Sequence, residues 1–172
     1  MLQEINTTRL LAERLQEKHF EVLCRMHRNS SVMATLGGLR SAEQTREFLN
    51  SNLEHWQEHG YGLWVFTAKA DGQFVGRGGL RHVHVAGNDE LELAYALEAA
   101  FWGQGLATEM ARGILDIGSQ SFDRSSIVCF TLASNRASQR VMEKLGFHYE
   151  RDFVHGRQPH VLYRLDTATG TE

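Results

Sequence analysis

The chain has 172 residues, 42% of them hydrophobic and 23% charged, with one proline, sixteen glycines and a formal net charge of −3. That length suits one domain around one core, and the composition excludes collagen-like and proline-rich disordered chains. The slight acidity argues against nucleic acid as a partner, because such binders carry a basic excess.

Residues 8–16 are predicted as a first strand and 17–27 as a helix, with Phe20, Leu23 and Cys24 on one face. Residues 28–40 read as irregular, broken at Gly37-Gly38. Ser41 predicts the N-cap of a second helix, with Gln44 three positions on as in a capping box. Phe48, Leu49, Leu53 and Trp56 follow at close to helical period, and Gly60 and Gly62 end the helix. Two β-rich runs, 63–70 and 74–85, join through Asp71-Gly72, a hairpin signal. Gly87-Asn88 predicts a second turn before a strand at 90–97, so three consecutive strands make an antiparallel meander. Alternation puts Glu90, Glu92 and Ala94 on one face of that last strand and Leu91, Leu93 and Tyr95 on the other.

A glycine-bearing loop, Phe101-Trp102-Gly103-Gln104-Gly105, then leads straight into a helix over 106–121. Leu106, Met110, Ile114 and Ile117 recur there at helical spacing, with Ala107, Ala111 and Leu115 widening the stripe. A strand at 126–132, holding the buried thiol of Cys129, precedes a helix over 136–145 that ends at Gly146 as its C′ residue. Asn135, Ser138 and Met142 are three and four apart and share one helix face, with Val141 and Leu145 nearer the core side. Segments 147–155 and 161–165 are predicted to close the sheet as a hairpin, and the polar tail 167–172 to fray. With no repeat or linker, residues 1–172 are expected to be a single domain.

The order strand, glycine loop, helix start is suited to an anion. Glycines admit positive φ and close ligand approach, and a helix N-terminus presents free N–H groups. The same loop is equally a plain strand-to-helix turn. It lacks the G-x-x-x-x-G-K-[ST] of a phosphate loop and, with Thr108, the dinucleotide G-x-G-x-x-G spacing. Cys24 and Cys129 make no disulfide framework, so a reducing cytoplasm is expected. The N-terminus shows no basic region followed by an apolar stretch, and no run of 18 apolar residues exists, which predicts neither signal peptide nor membrane span. Nine histidines include His82 and His84 on one strand face and His155 and His160 beside the last turn, without zinc-ligand spacing, so no metal is expected.

In their order, Trp102-Gly103-Gln104-Gly105-Leu106-Ala107-Thr108-Glu109, then Asn135 and Ser138, then Leu145-Gly146-Phe147 resemble the cofactor motif and downstream pattern of the GNAT superfamily acetyltransferases. Thr8-Arg9-Leu10 and Leu91-Glu92-Leu93-Ala94-Tyr95 resemble the branch that includes the ribosomal-protein N-terminal acetyltransferases, and the likeness spans nearly the whole chain. It implies an α/β fold of mixed α+β type: a central mixed, mostly antiparallel sheet of about six to seven strands, the ones at 90–97 and 126–132 parallel and splayed, flanked by about four helices. It further implies acetyl-CoA as co-substrate, its pantetheine in the splay against the backbone near Tyr95, Ala96 and Leu97. Amides of Gly103, Gln104, Gly105, Leu106, Ala107 and Thr108 would hold the pyrophosphate, and Asn135 the pantetheine arm.

The reaction so implied is acetyl transfer to a primary amine, a protein N-terminus or a small molecule, by direct attack in a ternary complex. Glu92 is the implied base, directly or through water, against the plainer reading of a solvated strand face; a backbone N–H near Tyr95 would meet the oxyanion. Met142 stands where many members carry a tyrosine acid. Ser138 or water is therefore the expected proton donor to the thiolate, against the plainer reading of a helix-surface serine. The other reading is a non-catalytic acyl-CoA-binding sensor on the same fold. The protein is expected to be a monomer or homodimer, with 28–40 and 149–160 facing the acceptor.

Overall fold

The structure, a computed structural model, describes residues 4–121 and 125–167. Of the tail predicted to fray, all but Thr167 lies outside the described residues. In chain order come β1 (Glu4–Asn6), β2 (Leu10–Arg14), a 3-10 turn (Glu17–His19), α1 (Phe20–His27), α2 (Ser30–Met33), α3 (Ala42–His59), β3 (Leu63–Ala68), β4 (Phe74–Val85), β5 (Asn88–Leu97), a 3-10 turn (Ala99–Phe101), α4 (Leu106–Ser121), β6 (Ser126–Leu132), α5 (Arg136–Lys144), β7 (His148–His155) and β8 (Gln158–Asp166). The strands form one 8-stranded sheet in the order β1-β2-β3-β4-β5-β6-β8-β7. Neighbours are antiparallel throughout except β5 beside β6, which run parallel. This is the expected mixed α/β architecture, with eight strands where six to seven were expected.

The extra strand lies ahead of the predicted first one. Within 8–16 only Leu10–Arg14 is strand, as β2, and β1 at Glu4–Asn6 folds back on it through a turn that Thr7 N closes by donating to Leu10 O at 2.9 Å. The second turn also moves one residue: Ala86 and Gly87 both have positive φ (50° and 85°), and Val85 pairs with Asn88. Positive φ at both central residues matches the strand twist, which suits a two-residue hairpin. Ser41 and Gln44 do form the predicted capping box. Within 28–40, Asn29 caps the short α2, whose Val32 and Met33 are buried.

The sheet buries two different faces. One carries Leu10, Trp64, Phe66, Leu80, Leu91 and Leu93 against Met110 and Ile114 of α4 and Met142 of α5. The other packs Leu63, Val65 and Ala94 against Leu23 and Leu49 of α1 and α3. On α5 the expected sides are reversed: Met142 is fully buried, while Val141 and Leu145 are only half-buried. Asn135, Ser138 and Met142 are thus the stripe turned toward the sheet. No helix among the described residues is long and apolar enough to cross a membrane.

Close approach of α4 to the sheet depends on Gly78. A Cβ there would lie 3.0 Å from Ile114 Cδ1, 3.0 Å from Met110 Sδ and 3.1 Å from Ala94 O. Gly78→Val should therefore force α4 outward and destabilise the fold by about 1–3 kcal/mol, seen as a lower urea midpoint at unchanged slope.

Candidate functional site

β4 and β5 pair continuously from Gly76↔Leu97 to Val85↔Asn88, whereas β5 and β6 meet only at Glu92↔Val128. Beyond that pair the parallel strands part. Glu98 N donates to Val75 O at 2.8 Å, so at this end even-numbered residues turn their backbone toward β4. Alternation then commits Ala96 to β4 and points Tyr95 and Leu97 into the gap. Of the three residues expected along the pantetheine, two face it with their backbone and one does not.

The glycine loop closes the wide end of the gap. Gly103 and Gly105 have φ of 73° and 77°, values that disfavour any residue with a Cβ. Trp102 Nε1 donates to Leu97 O at 3.0 Å and ties the loop to the end of β5. Glu109 N bonds to Gly105 O, so the first-turn amides of Leu106, Ala107 and Thr108 precede any helical acceptor and remain available. Open space surrounds the position of a Cβ at Gly103.

Sequence reasoning assigned no role to Arg9. Its Nη1 donates to Gln104 O at 2.9 Å and its Nε to Glu109 Oε2 at 2.7 Å, while Arg9 N and Thr7 Oγ1 both donate to Glu109 Oε1. Glu109 thereby fastens the β1–β2 turn to α4 and holds a guanidinium beside Gly105, whose Cβ position is 3.6 Å from Arg9 Nη2. A cavity of 530 Å³ lies alongside, lined by Arg9, Gly105, Thr108, Glu109 and Arg112 among others. Burial raises the Glu109 carboxyl, but bonds from Thr7 and Arg9 outweigh it and leave it below the ordinary range. The available signal was the Thr-x-Arg triplet before a strand, and nothing local says that it meets a residue 100 positions on.

Across the gap from the loop, Asn135 caps α5: its Oδ1 accepts from Ser138 N at 3.2 Å, and its Nδ2 donates to Thr131 Oγ1 at 3.0 Å. Ser138 Oγ lies 2.9 Å from Tyr95 Oη, which is also 3.3 Å from Ser138 O. Tyr95, expected only as a backbone contact, thus reaches from β5 to α5 with its side chain. Burial and then Cys129 push the Tyr95 phenol far above its ordinary range, so it stays a proton donor.

Glu92 lies on the opposite face, as alternation requires. It is not a solvated strand residue: it is 4% exposed, and Arg81 Nη2 donates to its Oε2 at 2.9 Å across β4 and β5. Ser138 and Glu92 therefore flank the gap from opposite faces of the sheet. Arg77 feels the charges of Glu92, Arg81 and Arg40, and Arg77 Cζ and Arg40 Cζ lie 4.5 Å and 5.0 Å from the centre of the Phe48 ring. The fully buried His27 completes this group, bonding Thr45 Oγ1 at 2.8 Å.

The remaining predicted histidines lie elsewhere. His82 stacks on His59 at 5.2 Å, His84 bonds Asp89, and His155 and His160 pack around Phe130. Among the described residues no group of three His, Cys, Asp or Glu side chains is placed to hold a metal.

Comparison with known proteins gives the family and the fold. The family model described as acetyltransferase (GNAT) domain matches residues 9–148. The chain is 32% identical over 132 residues to the uncharacterized protein YkkB of Bacillus subtilis, covering 77% of each. An acetyltransferase structure from Agrobacterium tumefaciens superposes with a TM-score of 0.84 at 20% identity, over 97% of this chain and 96% of that one. RimL, a ribosomal L7/L12 alpha-N-protein acetyltransferase solved with coenzyme A, superposes with a TM-score of 0.78 at 18% identity, over 95% of this chain and 98% of that one.

His27 carries a pH signature. Burial, then the charges of Arg77 and Arg40, push its pKa from 6.5 down to about 3. Between those values the unfolded chain binds a proton that the folded chain refuses. Stability is full above about pH 6.5 and falls as the solution is acidified toward about pH 3, by up to about 1.4 kcal/mol per pH unit from this group. His27→Gln should flatten that slope between about pH 6 and 4, read from urea midpoints across a pH series.

Proposed function

Because the chain belongs to the GNAT acetyltransferase family, we propose that it transfers an acetyl group from acetyl-CoA to a primary amine, the two substrates reacting directly in a ternary complex. The observation that carries this reading is the parting of β5 and β6 after Glu92↔Val128, with the backbone of Tyr95 and Leu97 turned into the gap and a glycine loop with free first-turn amides at its end.

The amides of Leu106, Ala107 and Thr108, with Gly103, Gln104 and Gly105 before them, hold the pyrophosphate, and the Arg9 guanidinium adds positive charge. The backbone of Tyr95 and Leu97 pairs with the pantetheine arm, and Asn135 keeps one amide N–H for it after bonding Thr131. Acetyl-CoA, when bound, supplies an acyl thioester whose carbonyl carbon accepts the amine.

Glu92 takes the ammonium proton through a water on Oε1, since Arg81 occupies Oε2. Tyr95 N–H meets the oxygen that becomes negative as the nitrogen–carbon bond forms. When the carbon–sulfur bond breaks, Ser138 donates its hydroxyl proton to the thiolate and is re-protonated from solvent. Tyr95 Oη, 2.9 Å from Ser138 Oγ, orients that hydroxyl. The acceptor is a protein N-terminus, as the name of RimL states for that protein, or a small-molecule amine.

The test is free-thiol release over an amine panel with acetyl-CoA, the acetylated product identified by mass. Gly105→Glu should abolish acetyl-CoA binding in calorimetry by placing an anion beside the pyrophosphate; unchanged affinity would move the site elsewhere. Glu92→Gln keeps an acceptor for Arg81 but cannot take a proton, and turnover should fall roughly 10²-fold or more at nearly unchanged coenzyme affinity. Ser138→Ala should lower kcat roughly 10- to 150-fold; full activity, with chemistry rate-limiting, would leave water as the donor.

A further inference from the structure

The face around Glu92 holds more positive charge than it balances. Three arginines elsewhere find carboxylates: Arg164 meets Glu90 and Glu150, Arg9 meets Glu109, and Arg46 meets Glu17. Arg77, by contrast, is 5% exposed, and no acceptor meets its Nε among the described residues; Arg81 Nε is equally buried and unmet. Among the described residues, Glu92 is the one carboxylate paired with this group, through Arg81. His27 adds none, being neutral above about pH 3.

Such an arrangement is costly. Nearly all buried donors in folded proteins are satisfied, and a buried cation without a hydrogen-bonded partner is strongly destabilising. Stacking on Phe48 recovers part of this, because both Arg77 and Arg40 lie over that ring. It cannot satisfy donors that lie in the guanidinium plane. Those donors suit a planar oxyanion, because a guanidinium edge donates two parallel hydrogen bonds to a carboxylate.

Arg77 itself is buried, but the group is open at its Arg40 and Arg81 side. Arg40 closes the 28–40 segment expected to face the acceptor, and it is only half-buried. The Arg81 side chain is 28% exposed, and Leu39 beside Arg40 stands out into solvent as an apolar lip.

We propose that Arg77, Arg40 and Arg81 form a subsite for a carboxylate carried by the acceptor, so that the amine substrate is an amino acid or a similar amine that also bears a carboxylate. The Arg81–Glu92 pair then links the anion subsite to the base: the carboxylate is gripped on the arginine side, and the amine end reaches the water on Glu92. The acceptor class rests on the transfer reading above; the anion subsite does not.

The test uses the whole chain labelled with nitrogen-15 in arginine. Sodium acetate is titrated at constant ionic strength against sodium chloride and against phosphate, following the Arg77 Nε–H resonance, identified by its loss in Arg77→Met. A saturable shift with acetate alone is expected, weakened in Arg40→Gln, which alters a half-exposed residue and should fold. Arg77→Met, which replaces an unpaired buried cation by an apolar chain, should match or exceed the parent in Tm. Thiol release is then compared for amino acids and their C-terminal amides: the parent should prefer the acids, and Arg77→Met should lose that preference through KM with kcat kept. No acetate shift, or one equalled by chloride or phosphate, overturns the carboxylate subsite, and equal turnover of acids and amides then leaves acetyl transfer standing. An acetate shift with no thiol release from any amine overturns the transfer reading and the acceptor class together, while the anion subsite survives.

Discussion

Two parallel strands that touch at one residue pair and then separate cannot satisfy each other's backbone. Past Glu92↔Val128, the N–H and C=O groups of β5 that would bond β6 face a gap. Burying such groups unpaired would be costly, so the fold keeps the gap accessible and edges it with further donors. The order of elements follows from that constraint. β5 leads through a 3-10 turn into the glycine loop and α4, and α5 follows β6 on the other side of the gap. Trp102 and Asn135 fix the two rims, one by bonding the last carbonyl of β5 and the other by capping α5.

The same gap sorts the polar chemistry between the two faces of the sheet. On the α4–α5 face, Tyr95, Ser138 and Cys129 form a neutral, protonated set, since burial raises both the phenol and the thiol. On the α1–α3 face lie Glu92 and the arginines, where burial and then the Arg81 and Arg40 charges push Arg77 down to about 9. In the proposed reaction the proton acceptor and the proton donor are thus kept apart by the sheet itself and meet only where the strands separate.

Much of this was legible locally. Asp71-Gly72, the Ser41 and Gln44 capping box and the glycine loop all state backbone geometry through short-range chemistry, and each forms as read. The alternation of Glu92 and Tyr95 about strand 88–97 likewise needs only a period of two. The misses share one cause. The added strand at Glu4–Asn6, the shift of the second turn to Ala86-Gly87 and the inward turn of Met142 are decided by what each segment packs against. Local propensity is a weak prior beside such contacts.

The sequence by itself determined most of the order of elements and the place of the glycine loop, because those depend on residues close in the chain. Only the tertiary structure decided which residues act together. Arg9 reaches the loop through Glu109, 100 positions away; Tyr95 reaches Ser138 across 43; Arg81 reaches Glu92 across a hairpin; and Arg77 meets Phe48 from another layer. Side-chain pairs at such separations are set by sheet register and helix docking, and a linear pattern of apolar and polar residues specifies which face a side chain takes but not the partner it finds there.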